Sequence, residues 1–173
     1  ENRQNTGSFK IRGALSKLLS LSDKEKSRGV IGMSAGNHAQ GLAYSGNKLG
    51  VNTNIVMPLG TPFTKIRRTK NFGGNVFLKG EDLVESKNYV NELINKFGYI
   101  EVHPYNDTEV IKGQGTIYLE MLNQISDIDY LLVPVGGGGL WAGCSIINSS
   151  LSKRTKVVGV ESKFYPSLFN IFY

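Results

Sequence analysis

The sequence has few of the residues that cross-link chains or bind metals. Its 173 residues include one cysteine, Cys144, and two histidines. A single cysteine excludes an internal disulfide and weakly favours a reducing compartment. Neither histidine has partners at metal-ligand spacing, so we expect no metal site in this chain. We expect a cytoplasmic protein, or an organellar one if a transit segment has been removed.

Long apolar runs are also absent. No stretch reaches the roughly 18 apolar residues that a membrane-spanning helix needs, so we expect no membrane partner. The first residues are polar and charged, so we expect no signal peptide within this stretch. The chain starts at Glu1 rather than at a methionine, and its aromatic last ten residues break off within a predicted helix. We therefore expect a fold that is incomplete at both ends.

Positive charge is in excess. The formal net charge is +6, which invites a nucleic-acid interpretation. The densest basic patch consists of Lys65, Arg67, Arg68 and Lys70, with Phe72 as the one aromatic residue beside it. Nucleic-acid modules show a recognisable motif beside their charge, and this patch has none. We expect a solvated helix surface and no nucleic-acid partner.

Short apolar runs alternate with helix-length amphipathic segments along the chain. The pattern predicts strands over 29–33, 53–57, 75–79, 99–103, 130–135 and 156–160. It predicts helices over 8–21, 37–49, 82–97, 108–125 and 140–151, with others beginning near Ser22, Pro62 and in the last ten residues. Gly113 and Gly115 should interrupt their helix. Helix-length crossovers between short apolar strands predict an α/β fold, with parallel sheets and helices on both faces.

Four consecutive glycines, Gly136 to Gly139, lie between a predicted strand and a predicted helix. Backbone amides of such a loop converge on an anion, aided by the positive end of the helix dipole. The loop is therefore a candidate phosphate site. Two alternatives remain: a structural turn, and a nicotinamide-dinucleotide fingerprint in which Gly137, Gly139 and Ala142 would bind pyrophosphate and Glu161 would bind ribose.

Two further stretches help to choose among these three interpretations of the glycine loop. Lys10 stands near the start of a helix, after an aromatic residue and between glycines, and an amide-rich loop at 34–41 opens another helix after a strand. An amine, an amide-rich loop and a phosphate-sized glycine loop are the parts needed to hold an aldehyde cofactor. A nicotinamide interpretation leaves the first two stretches unexplained.

Together, these stretches resemble the pyridoxal-phosphate enzymes of the tryptophan-synthase β-like fold, known as fold type II. Within that fold the chain is most similar to the threonine/serine dehydratases, with serine racemase as a near relative. The matching motifs are TGSFKIRGA at 6–14, SAGNHAQG at 34–41, GQGT at 113–116 and PVGGGGL at 134–140. Their order and spacing also agree, and the resemblance covers nearly the whole chain.

The resemblance implies a role for each motif. Lys10 would form the Schiff base with pyridoxal phosphate, Phe9 would pack against the pyridine ring, and Asn37 would hydrogen-bond the ring's phenolic oxygen. The phosphate would accept main-chain N–H groups from Gly136, Gly137, Gly138, Gly139 and Leu140. The substrate carboxylate would bind in a pocket lined by Ser34, Ala35, Asn37 and His38. His38 is about as well explained by packing or helix capping, and for His103 a structural role is favoured.

The implied reaction is the dehydration and deamination of L-threonine or L-serine to a 2-oxo acid and ammonia, with Lys10 as the base at Cα. Serine racemases carry a serine hydroxyl at the position of Ala35, where it reprotonates Cα from the opposite face. A methyl group transfers no proton, so we expect elimination without appreciable racemisation. Racemase activity remains an alternative, and so does a truncated, non-catalytic remnant.

The resemblance also implies domains and assembly. Residues 1–28 and 107–173 would belong to a large cofactor-binding domain and residues 29–106 to a small mobile one, in a homodimer or homotetramer acting on a small amino acid. Three positions depart from the family pattern: Lys112 adds a cation near the pocket, Trp141 replaces a smaller residue, and Ser167 stands where the second acid of a metal site that begins at Glu161 is expected.

Overall fold

Helices and strands alternate along the chain. In this computed structural model, residues 1–125, 127–151 and 154–172 are described. The helices are α1 (Lys10–Ser20), α2 (Asp23–Arg28), α3 (Asn37–Leu49), α4 (Phe63–Asn71), α5 (Leu83–Phe97), α6 (Thr108–Gln124), α7 (Gly139–Leu151) and α8 (Phe169–Phe172). The strands are β1 (Val30–Met33), β2 (Thr53–Met57), β3 (Asn75–Leu78), β4 (Ile100–Glu101), β5 (Tyr130–Pro134) and β6 (Lys156–Val160). No described helix is long and apolar enough to cross a membrane.

The strands form two parallel sheets, as the crossover lengths predict. The first has the order β3-β2-β1-β4, and the second pairs β5 with β6. In the first sheet Ile31 of β1 lies between Asn54 of β2 and Glu101 of β4. All pairs are parallel, because each return passes through a helix: α3, α4 and α5 in the first sheet, and α7 in the second.

Both faces of the first sheet are covered by helices. Val30 packs with Leu18 of α1 and Leu42 of α3, whereas its neighbour Ile31 packs with Val90 of α5 on the opposite face. Alternate side chains of a strand point to opposite faces, so β1 is buried on both sides. Fully burying one such side chain contributes about 1.5–3 kcal/mol. The predicted α/β architecture is confirmed.

Local capping signals set several element ends. Ser22 accepts the N–H of Glu25 at 3.3 Å, and the Glu25 carboxylate accepts the Ser22 N–H, which completes a capping box at the start of α2. Gly50 adopts a left-handed conformation, with φ 66°, at the end of α3. Asp82 caps α5 by accepting the Glu85 N–H at 2.8 Å.

Two predicted elements differ from the structure. The predicted strand over 99–103 is shortened to β4, with one further bond to β1 from the Val102 N–H to the Ile31 carbonyl at 2.8 Å. It ends there because the chain turns at His103 and Pro104, and proline has no N–H for a ladder. The predicted break of α6 at Gly113 and Gly115 is wrong, since α6 is continuous. These glycines instead allow close packing of helices: a Cβ on Gly113 would lie 2.5 Å from the Arg12 carbonyl oxygen of α1.

Candidate active site

Lys10 is the first residue of α1, and its amine points to the segment that follows β4. Nζ donates a hydrogen bond to the Pro104 carbonyl at 2.7 Å and lies 5.3 Å from the centroid of the Phe9 ring. Burial lowers the pKa of Lys10 below its ordinary value, because a charged amine is poorly solvated there. This lowered pKa favours the uncharged amine, which is the form that accepts a proton.

The residue after Pro104 connects this amine to the glycine loop. A Cβ on Gly137 would overlap the ring carbons of Tyr105, and one on Gly139 would lie 2.9 Å from the Tyr105 carbonyl oxygen. Lys10 and the loop therefore flank one short segment, 104–105, although more than a hundred residues separate them in sequence. Beside it lies a cleft of about 370 Å³, lined by His103, Tyr105, Asn106, Ile111, Gly137, Gly138, Gly139, Trp141, Ala142 and Leu168.

The glycine loop leads into the N-terminus of α7. Gly138 has φ 84°, and a Cβ on Gly136 would meet nothing within 4 Å. The Ala142 N–H donates to the Gly138 carbonyl at 2.8 Å, so the N–H groups of residues 139–141 precede the helical bonding pattern. Free N–H groups and the positive helix end favour an anion at this position.

Ser34, Ala35 and Asn37 form the approach to a second helix N-terminus, that of α3. Ser34 Oγ accepts the N–H of Gly36, the residue that caps α3, at 3.1 Å. Asn37 is exposed, and within the described residues its side chain makes no hydrogen bond. Because Asn37 follows β1, this loop lies at the carboxyl edge of a parallel sheet, where such folds bind ligands.

His38 is buried behind this loop and is hardly exposed to solvent. It is 2% exposed, and Nε2 lies 2.9 Å from the Val102 carbonyl oxygen, to which it donates as a neutral ring. Burial lowers its pKa to about 4. Nδ1 is buried and has no partner among the described residues. The ring therefore fixes α3 to the end of the first sheet, and the predicted substrate contact stays a prediction.

Sequence reasoning placed His103 beside Pro104, with a structural role favoured over one facing the cleft. It gave no role to the Pro104 carbonyl, which accepts the Lys10 amine, or to Tyr105. His103 Nδ1 accepts the N–H groups of Tyr105 at 3.3 Å and of Asn106 at 2.9 Å. Its ring also meets the Tyr105 ring edge to face, with centroids 4.6 Å apart. The available signal was a histidine, a proline and an aromatic residue between the last strand of one sheet and α6.

Two of the departures from the family pattern, Lys112 and Trp141, have local partners, and so has Glu161. Lys112 is bonded to Glu109 at 2.6 Å, so its charge is paired within α6. Trp141 lines the cleft, and its indole N–H lies 3.5 Å from the Val157 carbonyl. Glu161 accepts the N–H groups of Leu168 and Phe169 at 2.8 and 2.9 Å. Among the described residues, no three His, Cys, Asp or Glu side chains cluster at metal-binding spacing.

A family model described as "Pyridoxal-phosphate dependent enzyme" matches residues 1–172. The chain belongs to this family, which confirms the resemblance and rules out the nicotinamide alternative. The L-threonine ammonia-lyase of Thermotoga maritima is 46% identical over 168 residues, which cover 97% of this chain and 42% of that protein. The L-threonine dehydratase catabolic TdcB of Escherichia coli (strain K12) is 45% identical over 163 residues, covering 94% of this chain and 50% of that protein.

Solved structures agree with these relatives. The processed form of threonine deaminase isoform 2 from Solanum lycopersicum matches with a TM-score of 0.90 and 44% identity, over 93% of this chain and 44% of that one. Serine racemase from Dictyostelium discoideum matches with a TM-score of 0.92 and 36% identity, over 98% and 57%. The predicted tryptophan-synthase β-like fold is confirmed, and the chain spans about half the length of the curated relatives it matches.

Proposed function

We propose that the protein containing this chain is a pyridoxal-phosphate-dependent ammonia-lyase that converts L-threonine or L-serine to a 2-oxo acid and ammonia. The observation that carries the proposal is the position of Lys10. Its half-buried amine and the glycine loop flank the same two residues, Pro104 and Tyr105. Relatives that bear the names threonine ammonia-lyase and threonine dehydratase, at about 45% identity, support the reaction class.

The residues present fit the cofactor. The open loop at Gly136 and the α7 N-terminus suit a phosphate. Thr6 Oγ1 and Ser8 Oγ, on the segment just before Lys10, are buried and have no hydrogen-bond partner among the described residues. Unpaired buried hydroxyls are costly, so two of them within four residues of Lys10 in sequence favour a polar ligand near this segment.

Lys10 is the base in this proposal. Pyridoxal phosphate, when bound, supplies the electron sink that makes a Cα proton of an amino acid removable. The burial that lowers the pKa of Lys10 favours the uncharged amine, which is the form that acts as a base. The Pro104 carbonyl fixes the direction of Nζ, so the base reaches Cα from one face.

The loop before α3 holds the substrate in this proposal. The N–H groups at the start of α3, together with the loop at Ser34 and Ala35, suit a carboxylate. The unpaired amide of Asn37 is available to the cofactor ring, and His38 supports the loop from behind. Phe9 covers one side of the Lys10 amine.

Racemisation is the second candidate, because two of the similar solved structures are serine racemases. It needs an acid on the face opposite to Lys10. Ala35, at the position where serine racemases carry a hydroxyl, has no proton to give. We therefore favour elimination.

We also propose the division into a large domain of residues 1–28 and 107–173 and a small domain of residues 29–106. In its support, the strands of the first sheet all fall within 30–101 and those of the second within 130–160. Leu132, 66% exposed on the second sheet, suits a larger surrounding domain. Helix α1 contacts both α3 and α6, so it connects the two parts. A cytoplasmic or organellar homodimer or homotetramer is proposed, to be tested by light scattering on the complete gene product.

The first experiment asks where the cofactor attaches. Pyridoxal phosphate is added to the complete gene product, reduced with borohydride, and the modified peptide is identified by mass. We expect modification at Lys10, loss of it in Lys10→Ala, and retention in the matched control Lys24→Ala on the exposed helix α2. The 2-oxo acid released from L-threonine and L-serine is then measured. Equal modification of both variants, or no oxo acid from the unmodified sequence, would contradict the proposal.

A further inference from the structure

The first turn of α1, which carries Lys10, lacks a backbone bond that helices α2 to α7 make. In α2, α3, α4, α5, α6 and α7 the fourth helical N–H donates to the carbonyl of the residue that precedes the helix. In α1 the Phe9 carbonyl accepts the Arg12 N–H, three residues away, at 3.0 Å, and not the Gly13 N–H. Helix α4 also has this shorter bond, from Lys65 to the Pro62 carbonyl at 3.0 Å, but keeps the longer one beside it. The turn is therefore tightened toward 3₁₀ geometry at the position of the lysine.

The N–H that this tightening displaces belongs to Gly13, and it has another acceptor. It donates to Oε1 of Gln114, in α6, at 3.1 Å. Gln114 is 1% exposed and belongs to the GQGT motif, to which the proposed reaction assigns no role. Only the oxygen of the amide accepts from an N–H, so this bond also fixes which way the amide is turned.

Glycine at position 13 makes the contact possible. A Cβ there would overlap the Gln114 amide and lie 2.8 Å from Cγ1 of Val110. Across the same crossing, a Cβ on Gly113 would lie 2.7 Å from the Gly13 Cα. Helices α1 and α6 thus approach closely enough for a side chain of one to bond the backbone of the other.

The amide nitrogen of Gln114 indicates that this residue does more than fill space in the core. Its Nε2 is buried and has no partner among the described residues. A methionine or leucine would fill the same volume without an unpaired buried donor, which costs about 1–3 kcal/mol. The acceptor oxygen therefore has a use that offsets this cost.

We propose that Gln114 is a positioning residue for Lys10: its oxygen takes the Gly13 N–H, holds the first turn of α1 in the tightened form, and so directs the Lys10 amine to the Pro104 carbonyl. The inference rests on the proposed function for its catalytic meaning, but its geometry does not depend on that function. Without the Gln114 oxygen, the Gly13 N–H returns to the Phe9 carbonyl, the turn relaxes, and the lysine turns away from Pro104.

The test measures the reactivity of Lys10 in the cofactor-free protein. Acetylation of Lys10 is followed by peptide mass, relative to that of exposed Lys24, in the unmodified sequence, Gln114→Met and Gln114→Glu. We expect the Lys10 rate in Gln114→Met to change about threefold or more, because a side chain freed from its packed position gains solvent contact. Gln114→Glu keeps the acceptor oxygen, and its carboxyl, which burial favours in the neutral form, should hold the Lys10 rate near that of the unmodified sequence.

The control and a second variant keep the test decisive. Gln124→Met, at the exposed end of the same helix, should leave Lys10 unchanged. If Gln114→Met fails to fold by circular dichroism, Gln114→Asn replaces it, since its amide is one methylene too short to reach Gly13. A purely structural role predicts a lower melting temperature with an unchanged ratio of Lys10 to Lys24 acetylation, and that result in a folded variant would overturn the proposal.

The enzymatic consequence is measured separately on the complete gene product with pyridoxal phosphate. We expect Gln114→Met to lower kcat about tenfold or more with KM little changed, because misplacement affects the base rather than the carboxylate loop. A protein that releases no oxo acid, yet shows the predicted acetylation changes, would contradict the proposed function alone. Normal kcat in Gln114→Met would contradict the positioning role alone.

Discussion

His103 accepts the backbone N–H of Asn106, with Nδ1 2.9 Å from the amide nitrogen. This bond shapes the turn that carries both the Lys10 acceptor, at Pro104, and the Tyr105 ring against the glycine loop. Nδ1 accepts only while it is unprotonated, and burial lowers the pKa of His103, which keeps it so. One imidazole therefore supports two halves of the candidate site.

Replacing His103 tests this relationship. His103→Leu removes the acceptor, and we expect it to lower the free energy of unfolding by about 1 kcal/mol and to weaken pyridoxal phosphate binding. His103→Asn, whose Oδ1 can accept the same N–H groups, should retain most of the stability and most of the cofactor binding. Binding is measured by titration with pyridoxal phosphate and stability by urea unfolding. Equal binding by the two variants would show that the turn does not depend on this bond.

His38 predicts a dependence of stability on pH. Burial lowers its pKa from 6.5 in the unfolded chain to about 4 in the folded one. Between these pH values the unfolded state binds more protons than the folded one. The contribution of His38 to the free energy of unfolding, about 3 kcal/mol, is therefore complete above about pH 6.5 and is lost as the pH falls through 4. His38→Gln, which keeps a donor toward Val102, should flatten this part of the curve. Urea unfolding from pH 7 to pH 4 measures it, and parallel curves would contradict the assignment.

The glycine loop provides a matched pair of alanine substitutions. A Cβ on Gly139 would lie 2.9 Å from the backbone of Tyr105, whereas one on Gly136 would meet nothing within 4 Å. Backbone yields less easily than a side chain, so we expect Gly139→Ala to destabilise the fold by about 1–3 kcal/mol. Gly136→Ala should leave the melting temperature nearly unchanged. Similar melting temperatures for the two variants would mean that Tyr105 does not pack against the glycine loop.

Sequence reasoning succeeded where the physical signal is local. The bounds of α3 and β2 follow from Gly50, which ends the helix, and Pro58, which ends the strand. Sequence reasoning failed where a residue's role is determined by contacts with residues distant in sequence. Gly113 reads as a helix breaker by propensity, yet in the fold it meets Arg12 of another helix. Tyr105 likewise gains its place from contacts with residues more than thirty positions away, which no local pattern reveals.

The choice between elimination and racemisation depends on Ala35. Elimination needs the Lys10 base at Cα and a proton for the departing β-hydroxyl. Racemisation instead needs a proton donor to Cα on the face opposite to Lys10, and a methyl group is not one. We expect the complete gene product to form pyruvate from L-serine with little D-serine. Ala35→Ser should raise the ratio of D-serine to pyruvate, because its hydroxyl stands beside the N-terminus of α3, where a nearby positive dipole end lowers the pKa of an acid.

Chiral chromatography and an oxo-acid assay on the same reaction mixture measure this ratio. Ala35→Val is the matched control, since it adds similar bulk without a transferable proton and should not raise D-serine. D-serine formed by the unmodified protein at a rate that rivals pyruvate formation would contradict the argument. In that case the second proton must come from another group, and the Ser34 hydroxyl, held by the Gly36 N–H at 3.1 Å, is the first to test by Ser34→Ala.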